Sequence, residues 1–227
     1  MQPIGLSPAL IDQVYDRLVE AIADGTLAPG QRVRQEELAE LLGVSRQPVS
    51  HALQLLKRQH LVEEHGKRAL VIAAVDATRI QALYQVRAVL DGLAAQQAAL
   101  RMARAAVPAA ERQAAERALA EGRALTRADS VGAFIHADVA FHLALYRLAG
   151  NPAIEETVAP QWPHLKRSMG ASLGNIDRHP RVWSEHATIL AAVLAGDAGA
   201  AEAAARQHAL RAGAEIAQRL SSTADAA

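Results

Sequence analysis

The chain has 227 residues, with 24 Lys or Arg against 24 Asp or Glu, so its formal net charge at pH 7 is zero and no global positive field surrounds it. It contains no cysteine, which excludes disulfides and thiolate chemistry. Hydrophobic residues make up 51% of the chain but aromatic residues only 3%, and this favours closely packed helices over a large sheet. Because no signal peptide and no apolar run of roughly 20 residues is visible, we expect a cytoplasmic protein without membrane contact.

Apolar spacing predicts two helices near the start of the chain. The first has a stripe that ends before Gly25 and consists of Tyr15, Leu18 and Ile22. The second has an apolar face that consists of Leu38, Leu41 and Leu42. Gly43 interrupts this face and permits a sharp turn.

A third helix follows this turn directly. Ser45 is placed to cap it by accepting a backbone hydrogen bond, and Pro48 falls in the first turn, where a missing N–H costs little. The buried stripe at helical spacing consists of Val49, Ala52, Leu53 and Leu56. The opposite face carries side chains that form hydrogen bonds: Arg46, Gln47, Ser50, His51 and Gln54. This arrangement is typical of a helix-turn-helix, although an ordinary corner between two helices fits the same pattern.

Two short strands, residues 61–64 and 69–74, follow the helices. The turn between them consists of His65, Gly66, Lys67 and Arg68. Three helices and a hairpin with a basic tip predict a winged helix, in which Lys67 and Arg68 supply salt-dependent affinity for DNA phosphates. Residues 1–72 hold 8 basic and 9 acidic side chains, so we expect modest non-specific affinity and a homodimer on a two-fold related DNA site.

The first 75 residues resemble the GntR family of bacterial transcription regulators. The matching residues are Tyr15, Leu18, Ile22, Gly25, Leu27, Pro29, Gly30, Leu38, Ala39, Gly43, Val44, Ser45, Arg46, Pro48, Val49, Ala52 and Leu53. The resemblance implies that Arg46 contacts DNA from the start of the recognition helix and that Gln47 lies close to base edges. It also implies that the wing reaches the minor groove or the backbone through His65, Gly66 and Lys67. The family commonly has Arg-Glu where this chain has Ser50 and His51, so one family contact is absent here.

From about residue 77 to the end the pattern is helical. Six helices are predicted, at about 77–102, 108–125, 134–148, 153–168, 181–195 and 198–220. Short links between them indicate an antiparallel bundle, and residues 170–180 form a polar loop. We therefore predict a mainly α protein with a winged helix-turn-helix domain at 1–75 and an all-α bundle at 76–227 that binds effector and metal and dimerises. The linker lies near residues 73–77.

Four side chains of the bundle form a candidate metal site. Asp138 and His142 are four residues apart and share a helix face, while His186 and His208 lie in the last two helices. One carboxylate and three imidazoles suit a divalent ion, and zinc, nickel, manganese and iron all fit. Four separate, ordinary side chains remain the alternative.

Residues 78–215 resemble the FCD ligand-binding domain of the FadR-type branch of the GntR family. The matching segments are 83–95, 138–151 and 185–208. The resemblance implies that Asp138, His142, His186 and His208 hold a divalent metal, and that the effector is a small carboxylate. Arg87 and Asn151 match effector-site positions, and residues on the fourth bundle helix also fall near the expected pocket: Trp162, His164 and Arg167.

The predicted function is therefore a DNA-binding regulator, with repression the expected mode, in which an organic acid bound beside the metal changes operator affinity. A sensor of the metal itself has the same ligands. A regulator with an empty or apolar pocket, and a metal-dependent hydrolase, are further alternatives. The hydrolase interpretation lacks a motif for a general base and leaves the winged helix unexplained.

Overall fold

The computed structural model describes residues 8–66, 69–172 and 179–224. The chain divides into two compact units, Met1–Val75 and Asp76–Ala227. Within the described residues no helix is long and apolar enough to cross a membrane. The first unit combines three helices with a small sheet and the second is helical, so the predicted fold class is confirmed.

The first unit is a winged helix-turn-helix. Its helices are α1 (Pro8–Ala23), α2 (Gln35–Leu42) and α3 (Arg46–Arg58). Its strands are β1 (Arg32–Val33), β2 (Val62–His65) and β3 (Ala69–Ile72). The antiparallel sheet has the order β1-β3-β2, with Val62 opposite Ile72. The two-residue strand β1 was not predicted, because two residues are too short to show an alternating pattern.

The core of this unit confirms the stripe predicted for α3. Val49, Ala52 and the two leucines of the stripe are fully buried against α1 and α2. Two expectations were wrong. Leu41 is 77% exposed, and Ala39 is buried on α2 instead. Ser45 occupies the N-cap position with extended backbone, but its side chain accepts no hydrogen bond from the described residues of α3.

The wing begins one residue later than predicted. His65 belongs to β2, where it pairs with Ala69, and is not part of the turn. Gly66 starts the turn with φ +67°, a left-handed conformation that favours glycine. The strands cover 62–65 and 69–72 rather than 61–64 and 69–74. Lys67 and Arg68 lie outside the described residues.

The second unit is a helical bundle. Its helices are α4 (Ala77–Ala103), α5 (Ala109–Ala124), α6 (Val131–Ala149), α7 (Pro152–Val158), α8 (Trp162–Ser172), α9 (His179–Leu194) and α10 (Ala198–Ala224). The single helix predicted at 153–168 is divided by a 3-10 turn at Ala159–Gln161, because Pro160 cannot donate the backbone hydrogen bond of a continuous helix. The described bundle therefore has seven α-helices rather than six. The predicted loop at 170–180 was also too long, since α8 continues to Ser172 and α9 begins at His179.

Small residues bring the two longest helices of the bundle together. A Cβ on Gly92 of α4 would lie 3.3 Å from Cγ of Glu202 in α10, and one on Gly213 would lie 2.4 Å from Cβ of Tyr84. These contacts pair the beginning of α4 with the end of α10, so the two helices are antiparallel. Buried alanines fill the remaining core of this pair: Ala94, Ala95, Ala98, Ala99, Ala201, Ala205 and Ala209. The high alanine content thus reflects close helix packing.

Candidate functional site

Three helices of the bundle bring the predicted metal ligands together. Asp138 and His142 lie one turn apart on α6, which begins at the N-cap Ser130. His186 lies on α9 and His208 on α10. All three histidines are buried, and Asp138 is nearly so. Each of the four side chains offers one ligand atom, and all four atoms lie within 4.8 Å of one another.

The ligand atoms face a common point. His186 Nε2 lies 3.1 Å from His208 Nε2 and 3.5 Å from Asp138 Oδ1. His142 Nε2 lies 3.8 Å from Asp138 Oδ2. Two imidazole nitrogens bound at about 2.0–2.1 Å to one tetrahedral or octahedral ion lie roughly 2.9–3.4 Å apart. The observed separation of the two histidine nitrogens therefore fits a shared divalent ion.

Buried polar atoms without a hydrogen bond also indicate that the cluster fits a divalent ion. His142 Nε2 and Asp138 Oδ2 are buried and have no hydrogen-bond partner among the described residues. Such atoms carry a desolvation cost that a bound ion would remove. Burial, with the nearby charges of Arg87 and the other two histidines, holds the pKa of His142 well below its usual value, so its imidazole is neutral as a metal ligand requires. Burial raises the pKa of Asp138, and the Arg87 guanidinium opposes this shift.

Two carboxylates that were not predicted lie beside two of the histidine ligands. Each is close to Nδ1, the ring nitrogen that points away from the cluster and which we call the outer nitrogen. Glu185 Oε2 lies 2.8 Å from His208 Nδ1, and Asp91 Oδ2 lies 3.4 Å from His142 Nδ1. A carboxylate on the outer nitrogen orients the ring and leaves Nε2 free to bind a metal. Weak signals for both existed in the sequence, because Asp91 follows Arg87 by one helical turn and Glu185 precedes His186.

Arg87 lies beside the metal ligands, in the place expected for an effector residue. Its side chain is 1% exposed, its Nε lies 3.2 Å from Asp91 Oδ2 and its Nη2 lies 4.0 Å from Asp138 Oδ2. The guanidinium lies 5.1 Å from the centre of the Trp162 ring, so it also makes a cation–π contact. Nη2 forms no hydrogen bond within the described part of the chain, and the same is true of the buried Nε1 of Trp162.

The other expected effector residues lie on α7 and α8. Asn151 is the half-buried N-cap residue of α7, and its side chain makes no capping hydrogen bond to the described residues of that helix. His164 and Arg167 are buried on α8, the helix that also carries Trp162. None of these residues belongs to the cluster of four ligands.

The predicted DNA-binding residues share the open face of α3. Arg46, Gln47 and His51 are exposed, and Ser50 is half-buried. His65 and Gly66 are exposed at the wing. Glu36, in the first turn of α2, was not among the predicted residues, and its Oε1 lies 3.1 Å from Arg46 Nη1. The arginine at the start of the predicted DNA-binding face is thus paired with a carboxylate.

A winged helix-turn-helix followed by a helical bundle is the architecture of a DNA-binding regulator with a second, all-α domain. Comparison with known families agrees. Residues 10–72 match the family described as bacterial regulatory proteins, gntR family, and residues 82–211 match the FCD domain. The chain belongs to the GntR family and carries an FCD domain. It is a DNA-binding transcription regulator and not an enzyme, which confirms the expected class and excludes the hydrolase.

Individual relatives support this assignment. A helix-turn-helix transcriptional regulator encoded in an unstable DNA locus of Streptomyces ambofaciens is 31% identical over 201 residues, which cover 86% of this chain and 80% of the relative. The regulator YdhC of Bacillus subtilis (strain 168) is 33% identical over 82 residues, which cover 36% of this chain and 37% of YdhC. Among solved structures, E. coli McbR/YncC superposes with a TM-score of 0.78 at 20% identity, covering 94% of this chain and 98% of that one. This last likeness shows the shared fold.

Proposed function

We propose that this protein is a homodimeric repressor whose operator affinity is controlled by a small carboxylate bound next to a divalent metal. Asp138, His142, His186 and His208 would hold the metal, which supplies a Lewis-acidic anchor for the acid. The protein would act in the cytoplasm on double-stranded operator DNA. The observation that carries the proposal is the convergence of four ligand atoms within 4.8 Å, three of them from buried histidines, in a domain that follows a winged helix.

A carboxylate effector is supported by two buried N–H donors that form no hydrogen bond to the described residues, Arg87 Nη2 and Trp162 Nε1. Both lie near the cluster: Arg87 Nη2 is 4.0 Å from Asp138 Oδ2, and the Trp162 ring centre is 6.4 Å from that of His142. A carboxylate accepts hydrogen bonds from such donors and pairs with a guanidinium. We assign Arg87 to the effector site on this basis. We also assign Asn151, the N-cap residue of α7, to the effector site.

DNA recognition is assigned to the open face of α3 and to the wing. Arg46 is suited to guanine or phosphate, and Gln47 to adenine. Ser50, His51 and His65 supply further hydrogen-bonding groups, and Gly66 permits close approach of the wing backbone. Lys67 and Arg68 retain their predicted role in salt-dependent binding, although they lie outside the described residues.

Dimerisation is supported by the outer face of α4. Positions alternately four and three residues apart on this 27-residue helix form what we call the α4 seam: Ala82, Val86, Val89, Leu93, Gln96 and Leu100. Its four large apolar side chains are between 36% and 54% exposed. Apolar side chains at this heptad spacing are typical of a helix that packs against a second helix. We propose that the seam meets the same seam of a second copy.

The experiment begins with protein purified without added metal. Elemental analysis measures its metal content, and an operator fragment selected from random duplexes reports DNA binding with the metal alone and then with a panel of small carboxylic acids. We expect bound metal and release of DNA by one of the acids. A His142→Ala/His186→Ala variant should lose both the metal and the response. The matched control is His136→Ala, because His136 lies exposed on the same helix as His142.

Two results would overturn the proposal. One is metal-free protein that binds operator and responds to acids as the wild type does. The other is a double variant that retains metal content and response. A change of DNA binding on addition of metal alone, with no acid effect, would instead establish the metal itself as the signal.

A further inference from the structure

Asp91 stands between the proposed effector residue and the proposed metal site. It is fully buried on α4. Its Oδ2 lies 3.2 Å from Arg87 Nε and 3.4 Å from His142 Nδ1, and its Oδ1 accepts a hydrogen bond from the Tyr146 hydroxyl. One carboxylate oxygen therefore lies within ion-pair distance of both the Arg87 guanidinium and the His142 imidazole, although neither contact has the geometry of a hydrogen bond.

The two oxygens of Asp91 have different environments. Tyr146 occupies Oδ1, while Arg87 and His142 share Oδ2. The carboxylate is enclosed in a protein interior, where electrostatic interactions are stronger than in water. A change in the position of Arg87 therefore alters the interaction that Oδ2 makes with the ring of His142.

We infer that Asp91 is a positioning residue that couples Arg87 to the metal site. An anion that draws the guanidinium away from Asp91 changes how the carboxylate orients His142, and with it the affinity for the metal. By linkage, the metal changes the affinity for the anion by the same factor. This inference rests on the proposed function, because it assigns a route between the two ligands of that site.

Glu185 provides a matched comparison. Its Oε2 is hydrogen-bonded to Nδ1 of His208 at 2.8 Å, whereas Asp91 Oδ2 approaches Nδ1 of His142 at 3.4 Å without a hydrogen bond. Its other partners are Arg211 and Arg181, which are more exposed than Arg87. Glu185 therefore orients a metal ligand without contacting the effector residue. Removing either carboxylate should weaken metal binding. Of the two, only Asp91 contacts Arg87, so only its removal should reduce the effect that a substitution of Arg87 has on the metal affinity.

The test measures the dissociation constant for Zn²⁺ by competition with a chelator, so no effector needs to be known. Asp91→Asn and Glu185→Gln should each weaken zinc binding about 10- to 100-fold. Arg87→Lys keeps the positive charge but removes the Nε contact to Asp91. We expect Arg87→Lys to change the zinc affinity several-fold in the wild-type and Glu185→Gln backgrounds, and to have a clearly smaller effect in the Asp91→Asn background, where only the 4.0 Å pairing of Arg87 with Asp138 remains.

An Arg87→Lys effect of equal size with and without Asp91 would overturn the inference, and so would the absence of any effect in the wild type. Wild-type protein that binds no zinc would instead contradict the proposed metal site. This result distinguishes failure of the metal site from failure of the role inferred for Asp91. Circular dichroism melts verify that each variant folds. If Asp91→Asn does not fold, Tyr146→Phe serves in its place, because it removes the hydrogen bond to the same carboxylate. The effect of Arg87→Lys on the zinc affinity must then differ between the Tyr146→Phe protein and the wild type.

Discussion

His186 and His208 place their Nε2 atoms 3.1 Å apart, although the residues are 22 positions apart in the chain and belong to different helices. His208 Nδ1 is held by Glu185, so its Nε2 lone pair is directed inward. The two helices that carry the histidines are joined by a tight turn at Gly196, whose φ is +74°. This short connection keeps the two imidazoles facing one another.

Metal should stabilise the folded bundle through this pair. Zinc at 100 times its dissociation constant is expected to add about 2.7 kcal/mol to the free energy of unfolding, because it binds the folded state and not the separated ligands. His208→Gln should abolish this gain in a thermal melt. His136→Gln should keep it, since His136 is exposed and hydrogen-bonds to the Gly132 carbonyl of its own helix, away from the four ligands. Equal zinc stabilisation of the two variants would contradict the ligand assignment.

Glu36 should govern the specificity of Arg46 rather than its affinity for DNA in general. The carboxylate holds Nη1 at 3.1 Å, which favours one orientation of a guanidinium that is 69% exposed. We expect Glu36→Gln to lower the ratio of operator to non-specific affinity. The free-energy difference between the two kinds of binding should fall by about 1 kcal/mol or more, which is within the range of a single base contact. The measurement is fluorescence anisotropy on operator and scrambled duplexes over a series of salt concentrations. If Glu36 were only a repulsive surface charge, both affinities would rise together and the ratio would stay constant.

Leu93→Glu should dissociate the dimer. A carboxylate in the middle of the α4 seam would be buried without a partner at the interface, which disfavours association. Light scattering after size exclusion should show the monomer mass at micromolar concentration, and operator affinity should fall. Leu41→Glu is the control, because Leu41 is also an exposed leucine but lies in the first unit. A Leu93→Glu protein that remains dimeric would show that the seam is not the interface.

Gly122→Ala should destabilise the bundle strongly. A Cβ at this position would lie 1.8 Å from Cη2 of Trp183, a buried ring that cannot move aside without repacking α9. Overpacking of this kind costs about 1–3 kcal/mol or more. In Gly199→Ala, by contrast, the new Cβ meets only Asp197 Oδ1 at 3.8 Å, so the free energy of unfolding should stay constant or rise slightly. Urea denaturation of both variants measures the difference.

Much of the fold was predictable because local physical rules decide it. The stripe of α3 has helical spacing and is buried as expected, and α4 covers Ala77–Ala103 against a predicted 77–102. The errors have two causes. Leu41 fits the apolar spacing of its helix, but no other described element of its unit packs over it, and it is 77% exposed. The helix predicted from residue 153 is divided at Pro160, a local signal that the apolar spacing does not contain.

In the candidate site, too, some residues were predictable from local sequence and others were not. The residue types and the four-residue spacing of Asp138 and His142 pointed to a metal, since one turn of helix places both on one face. Asp91, Glu185 and Glu36 were not predicted, because each acts on a residue of another element. No spacing rule links Asp91 on α4 to His142 on α6.

By itself the sequence determined the class of this protein, its helices and the chemistry of its candidate ligands, because periodicity, turn residues and side-chain type act over a few positions. Only the tertiary structure decided which carboxylates orient the histidines, which apolar face stays open, and that Arg87 shares Asp91 with His142. Those relations depend on how antiparallel helices pack through glycine and alanine, and such packing joins positions far apart in the chain.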